Sequence, residues 1–273
     1  MAVQPRQAAA VMILRDAADG NGLEVFMVRR VIQSDFMPDV YVFPGGSVQQ
    51  DDKTAETTPG ICRPVTHEVT DPEGRTALTL GIRAAAIREL FEEAGVLLAY
   101  QDEHMLAIDA QNMERIAVYR QAFNERRGSL VEVARAENLV LATERLNYFA
   151  HWITPEGLPK RFDTHFFVTT APAEQQAAHD QLETSEGLWI APVEALVRSE
   201  QGTFPIVFAT IHQLRELAAF TSVSEILQAT ETRYVKKRAP VLTERDGQAH
   251  IYLSEDETDE WILPEHMARL KQP

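Results

Sequence analysis

Between Gly81 and Leu98 the apolar positions fall at helical spacing. Ile82, Ala86, Leu90 and Ala94 form one stripe with Ile87 and Phe91 beside it, which predicts a helix packed on one side in a core. Glu89, Glu92 and Glu93 stand at i, i+3 and i+4, within an arc of roughly 100°. Like charges at this spacing repel, and Glu92 and Glu93 also fall in the last turn before Gly95, where the helix dipole disfavours anions. A well-formed helix that breaks two local rules at once marks a functional site. Three clustered carboxylates suit a hard divalent cation, Mg²⁺ or Mn²⁺; a solvated acidic face is the alternative reading.

The remaining pattern alternates strands and helices. Residues 7–15 and Leu23 to Arg30 read as two strands joined by the turn Asp19-Gly20-Asn21-Gly22, a hairpin. Arg29 and Arg30 close the second strand, and one of them is a candidate phosphate contact, an exposed strand end being the other reading. Tyr41-Val42-Phe43 runs into Pro44-Gly45-Gly46, a tight turn where backbone can approach a ligand closely.

Residues 51–80 are polar and broken by Pro59-Gly60, Pro64, Pro72 and Gly74, so an inserted loop is expected, with a short strand around Val65 to Val69 and His67 at the surface. Residues 103–142 show helical periodicity interrupted at Gly128-Ser129. Such a second insertion serves as a dimer contact or a substrate wall, or simply packs on its own domain.

Residues 144–171 hold two strands around a Pro/Gly-rich turn. They carry Arg161 as a candidate phosphate contact and Asp163 as its orienting partner, or the two as an ion pair. A loop at 179–187 precedes the strand Leu188 to Ile190, and a helix starts at Pro192. Two helices follow within 204–229, then a tail from Arg233 with two strands about Asp246-Gly247 and a helical turn at Pro264 to Leu270.

Composition narrows the classes. The chain has 273 residues, 45% of them hydrophobic, enough for one large domain with a real core. A formal charge of −15 argues against nonspecific binding to nucleic acid or an anionic membrane, so an anionic substrate needs local help from metal and arginine. Cys62 is the single cysteine, which excludes an intrachain disulfide framework. No apolar run spans a bilayer and no signal peptide opens the chain, so a soluble, cytoplasmic protein is expected. No Walker loop, dinucleotide-binding glycine fingerprint, nucleophile elbow or metalloprotease helix is present.

Arg88-Glu89-Leu90-Phe91-Glu92-Glu93-Ala94-Gly95-Val96 resembles the second half of the Nudix box, Arg-Glu-(aliphatic)-x-Glu-Glu-x-Gly-(aliphatic), at every defined position. Phe43-Pro44-Gly45-Gly46 fits its start. In the usual box 13 residues separate the second Gly from the Arg, whereas here 41 do (47–87), an interruption of 28. The Glu expected between them is either Asp52 or lost in the insertion. This interruption, with Phe36-Met37-Pro38, Trp152-Ile153-Thr154-Pro155 and Arg161-Phe162-Asp163-Thr164, is similar to the coenzyme A diphosphatase branch of that family.

The resemblance covers about residues 8–230. It implies an α/β fold, an αβα sandwich around a mixed β-sheet, with a Nudix domain at 6–230 and a C-terminal extension at 231–273. It implies Mg²⁺ or Mn²⁺ held by the Gly45 carbonyl, Glu89, Glu92 and Glu93, and Arg88 orienting a helix glutamate. Glu89 or one of Glu183 and Glu186 is then the general base. The implied reaction is metal-dependent hydrolysis of coenzyme A or acyl-coenzyme A to 3′,5′-ADP and 4′-phosphopantetheine. Hydrolysis of ADP-ribose, dinucleotides or nucleotide sugars, and nucleotide sensing without catalysis, are the rival readings.

Overall fold

The computed structural model describes residues 3–20, 22–34, 36–66, 78–180 and 182–264, with the backbone alone at Glu257. Its central sheet is eight-stranded and mixed, with a main path in the order β10-β2-β1-β9-β8-β11. The strands are β1 (Arg6–Asp16), β2 (Leu23–Arg30), β8 (Asn147–Ile153), β9 (Phe162–Thr170), β10 (Thr184–Ile190) and β11 (Lys237–Arg238), with the short β3 (Tyr41–Val42) on β2 and β4 (Gly45–Ser47) on β1. The pair β1–β9 is parallel, while β1–β2 and β8–β9 are antiparallel.

Alternation along β1 builds the sandwich. Ala9, Val11 and Ile13 pack with Ile87, Leu90 and Phe91 of α2 (Ile82–Ala94). Met12 and Leu14 pack on the other face with Leu214 of α6 (Phe208–Leu217) and Ile226 of α7 (Val223–Glu231), as a strand buried on both faces requires. The expected αβα sandwich is the observed architecture.

Three segments differ from expectation. The insertion at 51–80 opens with a helix, α1 (Gln50–Thr57), instead of a loop. Val65 and Thr66 form no strand, and the rest of that expected strand, with His67, lies outside the described residues. The segment 103–142 holds α3 (Met113–Asn124) and α4 (Leu130–Ala136) as expected. It also closes a small sheet of β5 (Ala99–Gln101), β6 (His104–Met105) and β7 (Leu139–Leu141), in the order β6-β5-β7.

The tail, where two strands were read, holds the short β11 and a three-stranded sheet of β12 (Val241–Arg245), β13 (Gln248–Leu253) and β14 (Asp256–Ile262). Asp246 and Gly247 both take positive φ, the turn that matches strand twist in a two-residue hairpin. The tail is not detached, because β11 pairs with β8 and Ile251 and Leu253 enter the α6–α7 core. The helical turn expected beyond Pro264 lies outside the described residues. Between β10 and α6 runs α5 (Pro192–Glu200), with Pro192 at its first turn.

Candidate active site

The sheet splits beside the Pro44-Gly45-Gly46 turn. Strand β1 pairs with β2 through Leu14–Asp16 but with β4 through Ala8–Ala10, and a cavity of about 590 Å³ opens along Ala8–Ala10. Glu89, Glu92, Glu93, Glu183, Arg6, Arg30 and Arg126 line it together with Gly45 and Gly46. The turn needs its glycines. A Cβ on Gly45 would stand 2.6 Å from the Ala10 Cβ and the Ala9 carbonyl oxygen, and one on Gly46 would collide with the Glu89 carboxylate.

Glu89 and Glu92 are held by an arginine that is itself buried. Arg88, 1% exposed, donates from Nε and Nη2 to Asp52 at 2.9 and 3.0 Å, from Nη1 to Glu89 and Glu92 at 2.8 and 2.9 Å, and from Nη2 to the Ser47 carbonyl at 2.8 Å. Burial works against its charge, but Glu89, Asp52 and Glu92 outweigh it and raise its pKa. Asp52 is fully buried and also accepts from the Gln49 N–H at 2.7 Å. It is a buried carboxylate from the inserted segment that pairs with the arginine of the motif.

The neighbours of Asp52 on α1 are equally engaged. Glu56 accepts from the N–H groups of Gly81, Arg83 and Ala84 at 2.7–2.9 Å, capping the start of α2, where Gly81 offers no side chain. Asp51 accepts from Ser129 Oγ and the Leu130 N–H, both at 2.7 Å, at the start of α4. The other end of α2 is closed by Gly95 in the left-handed conformation (φ 71°) and by Arg120, whose Nε donates to the Glu92 carbonyl at 2.9 Å. A cation at that end suits the helix dipole.

Burial raises the pKa of all three glutamates. Glu92 rises to about 7, through desolvation first and the Glu89 charge second, against the pull of Arg88. Glu89 is raised by desolvation despite Arg88. Glu93 is raised well above the usual range by burial and Glu89, against Arg30 and the Gly45 N–H, which donates to it at 3.0 Å. Glu183 adds to the upward push on each.

This is the donor set and the charge conflict that a divalent cation relieves. The three carboxylates do not converge on one point, since Arg88 draws Glu89 and Glu92 while Glu93 turns to Gly45. Among the described residues, the cluster with ligand atoms within 4.8 Å of one another is instead His151, Asp163 and His165.

The other sequence candidates part company here. Arg30 lines the cavity, with its guanidinium donating to Ser34 Oγ at 2.8 and 3.1 Å. Arg29, its neighbour on the opposite face of β2, pairs with Asp39 at 2.8 Å and lies outside the lining. Glu183 immediately precedes β10 and lines the cavity. Glu186 lies within β10, past a register shift, and accepts from the Tyr41 hydroxyl at 2.6 Å, outside the lining.

Arg161 donates to the backbone carbonyls of Thr154 and Val3, so it ties chain segments together. Asp163 is neither its partner nor a cavity group: it accepts from Gln7 at 2.9 Å and pairs with His151 at 2.5 Å. Residues 103–142 pack on their own domain through α3 on α2 and α4 on α1, and Asn124 and Arg126 also form part of the cavity wall. Sequence reasoning did not single out Arg6, Arg126, Arg120 or Glu56, whose places depend on long-range packing.

Residues 59–217 match the family model described as the NUDT19 Nudix domain. The acyl-coenzyme A diphosphatase NUDT19 of Xenopus laevis is 24% identical over 268 residues, covering 85% of this chain and 70% of the frog protein. The human protein of the same name is 23% identical over 269 residues, covering 85% and 71%. The crystal structure of a NUDIX hydrolase from Alicyclobacillus acidocaldarius superposes with a TM-score of 0.68 at 24% identity, covering 85% of this chain and 99% of that one.

Proposed function

This chain belongs to the NUDT19 Nudix domain family and is a Nudix hydrolase, and from that premise we propose that it cleaves the diphosphate of coenzyme A or an acyl-coenzyme A. The products are 3′,5′-ADP and 4′-phosphopantetheine, with its acyl group where one is present. The observation that carries the reading is the cavity in which Glu89 and Glu92, clamped from behind by Arg88, and Glu93, held by the Gly45 N–H, face Arg30 and Glu183. The frog and human relatives named acyl-coenzyme A diphosphatases support the choice of substrate.

Glu89, Glu92, Glu93 and the Gly45 carbonyl would hold Mg²⁺ or Mn²⁺. Such an ion neutralises the diphosphate and brings the pKa of a bound water toward neutrality. The chain's own residues do the rest. Arg88 fixes Glu89 and Glu92 through hydrogen bonds to a buried guanidinium, so neither carboxylate reorganises during the reaction. Arg30, with Arg6 and Arg126 on the same cavity, meets the phosphate oxygens of a substrate that the net charge of −15 would otherwise repel. Glu183, on the cavity wall and free of α2's clamp, is placed to take the proton from the attacking water, with Glu89 as the alternative base.

Product formation from coenzyme A, acyl-coenzyme A, ADP-ribose, NADH and diadenosine polyphosphates, with Mg²⁺ or Mn²⁺, tests the reading when wild type is run beside Glu93→Gln. The expected result is hydrolysis of the coenzyme A substrates, reduced at least a hundredfold in the variant. Turnover of another diphosphate alone would discard the substrate assignment. Tight binding without turnover of any would replace hydrolysis by sensing.

A further inference from the structure

The cavity continues into a second space of a different character. An apolar slot of about 160 Å³ shares Phe36, Phe162, Thr164, Phe166, Val207 and Ala209 with the cavity. Its far wall is built by Leu158, Pro240, Ile251 and Trp261, and three of these, Pro240, Ile251 and Trp261, lie beyond residue 217, where the match to the family domain ends. The tail therefore closes one side of a slot whose other walls belong to the Nudix domain. No charged side chain lines the slot, whereas Arg6, Arg30, Arg126 and the four glutamates line the cavity beside it.

This division of polarity matches a substrate that is anionic at one end and apolar at the other. In an acyl-coenzyme A the nucleotide end is anionic and the acyl end apolar, with the polar phosphopantetheine arm between them. The nucleotide half brings a second phosphate and the hydrogen-bonding edge of adenine, and both need donors and cations. Apart from the indole N–H groups of Trp152 and Trp261, the slot offers only Thr154 and Thr164 as polar side chains, and Thr154 Oγ1 already accepts from the Phe162 N–H at 3.0 Å. Placing adenine there would leave most of its polar edge without partners, while an alkyl chain has no polar atom of its own to strand and gains by leaving water.

We propose that this slot, walled by the C-terminal hairpin, receives the acyl chain of an acyl-coenzyme A substrate and makes the enzyme select by chain length. The inference rests on the acyl-coenzyme A reading above. Trp261, half-buried where β14 meets the slot, and Ile153, half-buried at the end of β8, set its capacity. Each methylene that enters adds about fourfold to kcat/KM, until the chain reaches the hairpin wall and the gain stops.

The experiment is a series of kcat/KM values for free coenzyme A and saturated acyl-coenzyme A from two to sixteen carbons, on wild type, Trp261→Ala and Ile153→Trp. Thermal unfolding of each protein serves as the folding control. The expected result is a rise with chain length to a plateau in wild type. The optimum should be longer in Trp261→Ala and shorter in Ile153→Trp, with free coenzyme A changed less than twofold in both. If Trp261→Ala fails to fold, Ile153→Trp carries the test alone.

Hydrolysis of free coenzyme A with no chain-length dependence, or a filled slot that slows coenzyme A as much as its acyl esters, would overturn the slot and leave the substrate reading standing. Failure of wild type to hydrolyse any coenzyme A species would overturn both.

Discussion

If Asp52 is the carboxylate of the interrupted motif, Arg88 depends on it, and Asp52→Asn tests that dependence with little change of shape. In the folded protein both carboxylate oxygens are used, on Arg88 Nε and Nη2 and on the Gln49 N–H. The amide keeps one acceptor for Arg88 and turns an NH₂ toward donors that needed an oxygen. Breaking a buried ion pair from one side costs about 3–5 kcal/mol. The retained bond, and the Glu89 and Glu92 carboxylates still beside Arg88, place this variant near the lower end, about 3 kcal/mol.

For a chain of this size that is a fall in Tm of roughly 6–12 °C. Because Arg88 also holds Glu89 and Glu92, a guanidinium that drifts by a fraction of an ångström displaces them, and kcat/KM should fall by about tenfold or more. Calorimetry and steady-state kinetics at saturating Mg²⁺ supply the two readings, with Asp51→Asn as control. Asp51 caps α4 without touching Arg88, so its loss should cost about 1 kcal/mol and leave the rate within twofold. Asp52→Glu, which restores the family's usual letter, should also destabilise, because an added methylene at a fully buried position overpacks it by about 1–3 kcal/mol. A Tm within 2 °C of wild type and an unchanged kcat/KM for Asp52→Asn would refute the assignment.

Three further outcomes follow from the same geometry. Glu56→Ala removes a carboxylate from three N–H groups at the start of α2 and should cost about 1–2 kcal/mol, read by chemical denaturation. In metal-free protein the Glu92 pKa, raised from 4.5 to about 7, means that stability tied to this group is fully present below pH 4.5 and is lost as pH rises through 7. Glu92→Gln in EDTA should therefore gain on wild type between pH 5 and pH 8, by of order 3 kcal/mol, and Mg²⁺ should stabilise wild type more than the variant. A constant difference across that range would contradict it. Glu183→Gln should lower kcat at least tenfold, while Glu186→Gln, which faces Tyr41 away from the cavity, should leave kcat within threefold; the reverse ranking in a pH–rate profile would exchange their roles.

What the sequence disclosed and what it withheld follow one physical line. Helix α2 and strands β1 and β2 were legible because their order is local: apolar spacing at 3.6 or 2 residues is written within each segment. Helix α1 has no such stripe, with Asp52 and Ala55 as its buried residues, so it reads as a polar loop. Its stability comes from partners far along the chain, Arg88 36 positions away and the α2 start 25 to 28 positions away. The one local signal was the capping box of Gln49 with Asp52, followed by a run free of Gly and Pro.

Strand β14 is the mirror case. Asp256–Ile262 is too acidic to show strand alternation, and it exists because β13 offers it an unpaired edge.

The split among the site candidates has the same origin. Arg29 and Arg30 are adjacent on a strand, so they must point to opposite faces and only one can reach a cavity. Which one is a matter of register, fixed by Val28 and Arg29 pairing with β3. Glu183 and Glu186 differ by a register shift between Thr184 and Glu186, a feature with no signature in residue type. The motif marked Glu89, Glu92 and Glu93 and the strand ends marked Arg30 and Glu183, but Arg6 and Arg126 join them on the cavity only through long-range packing and sheet register.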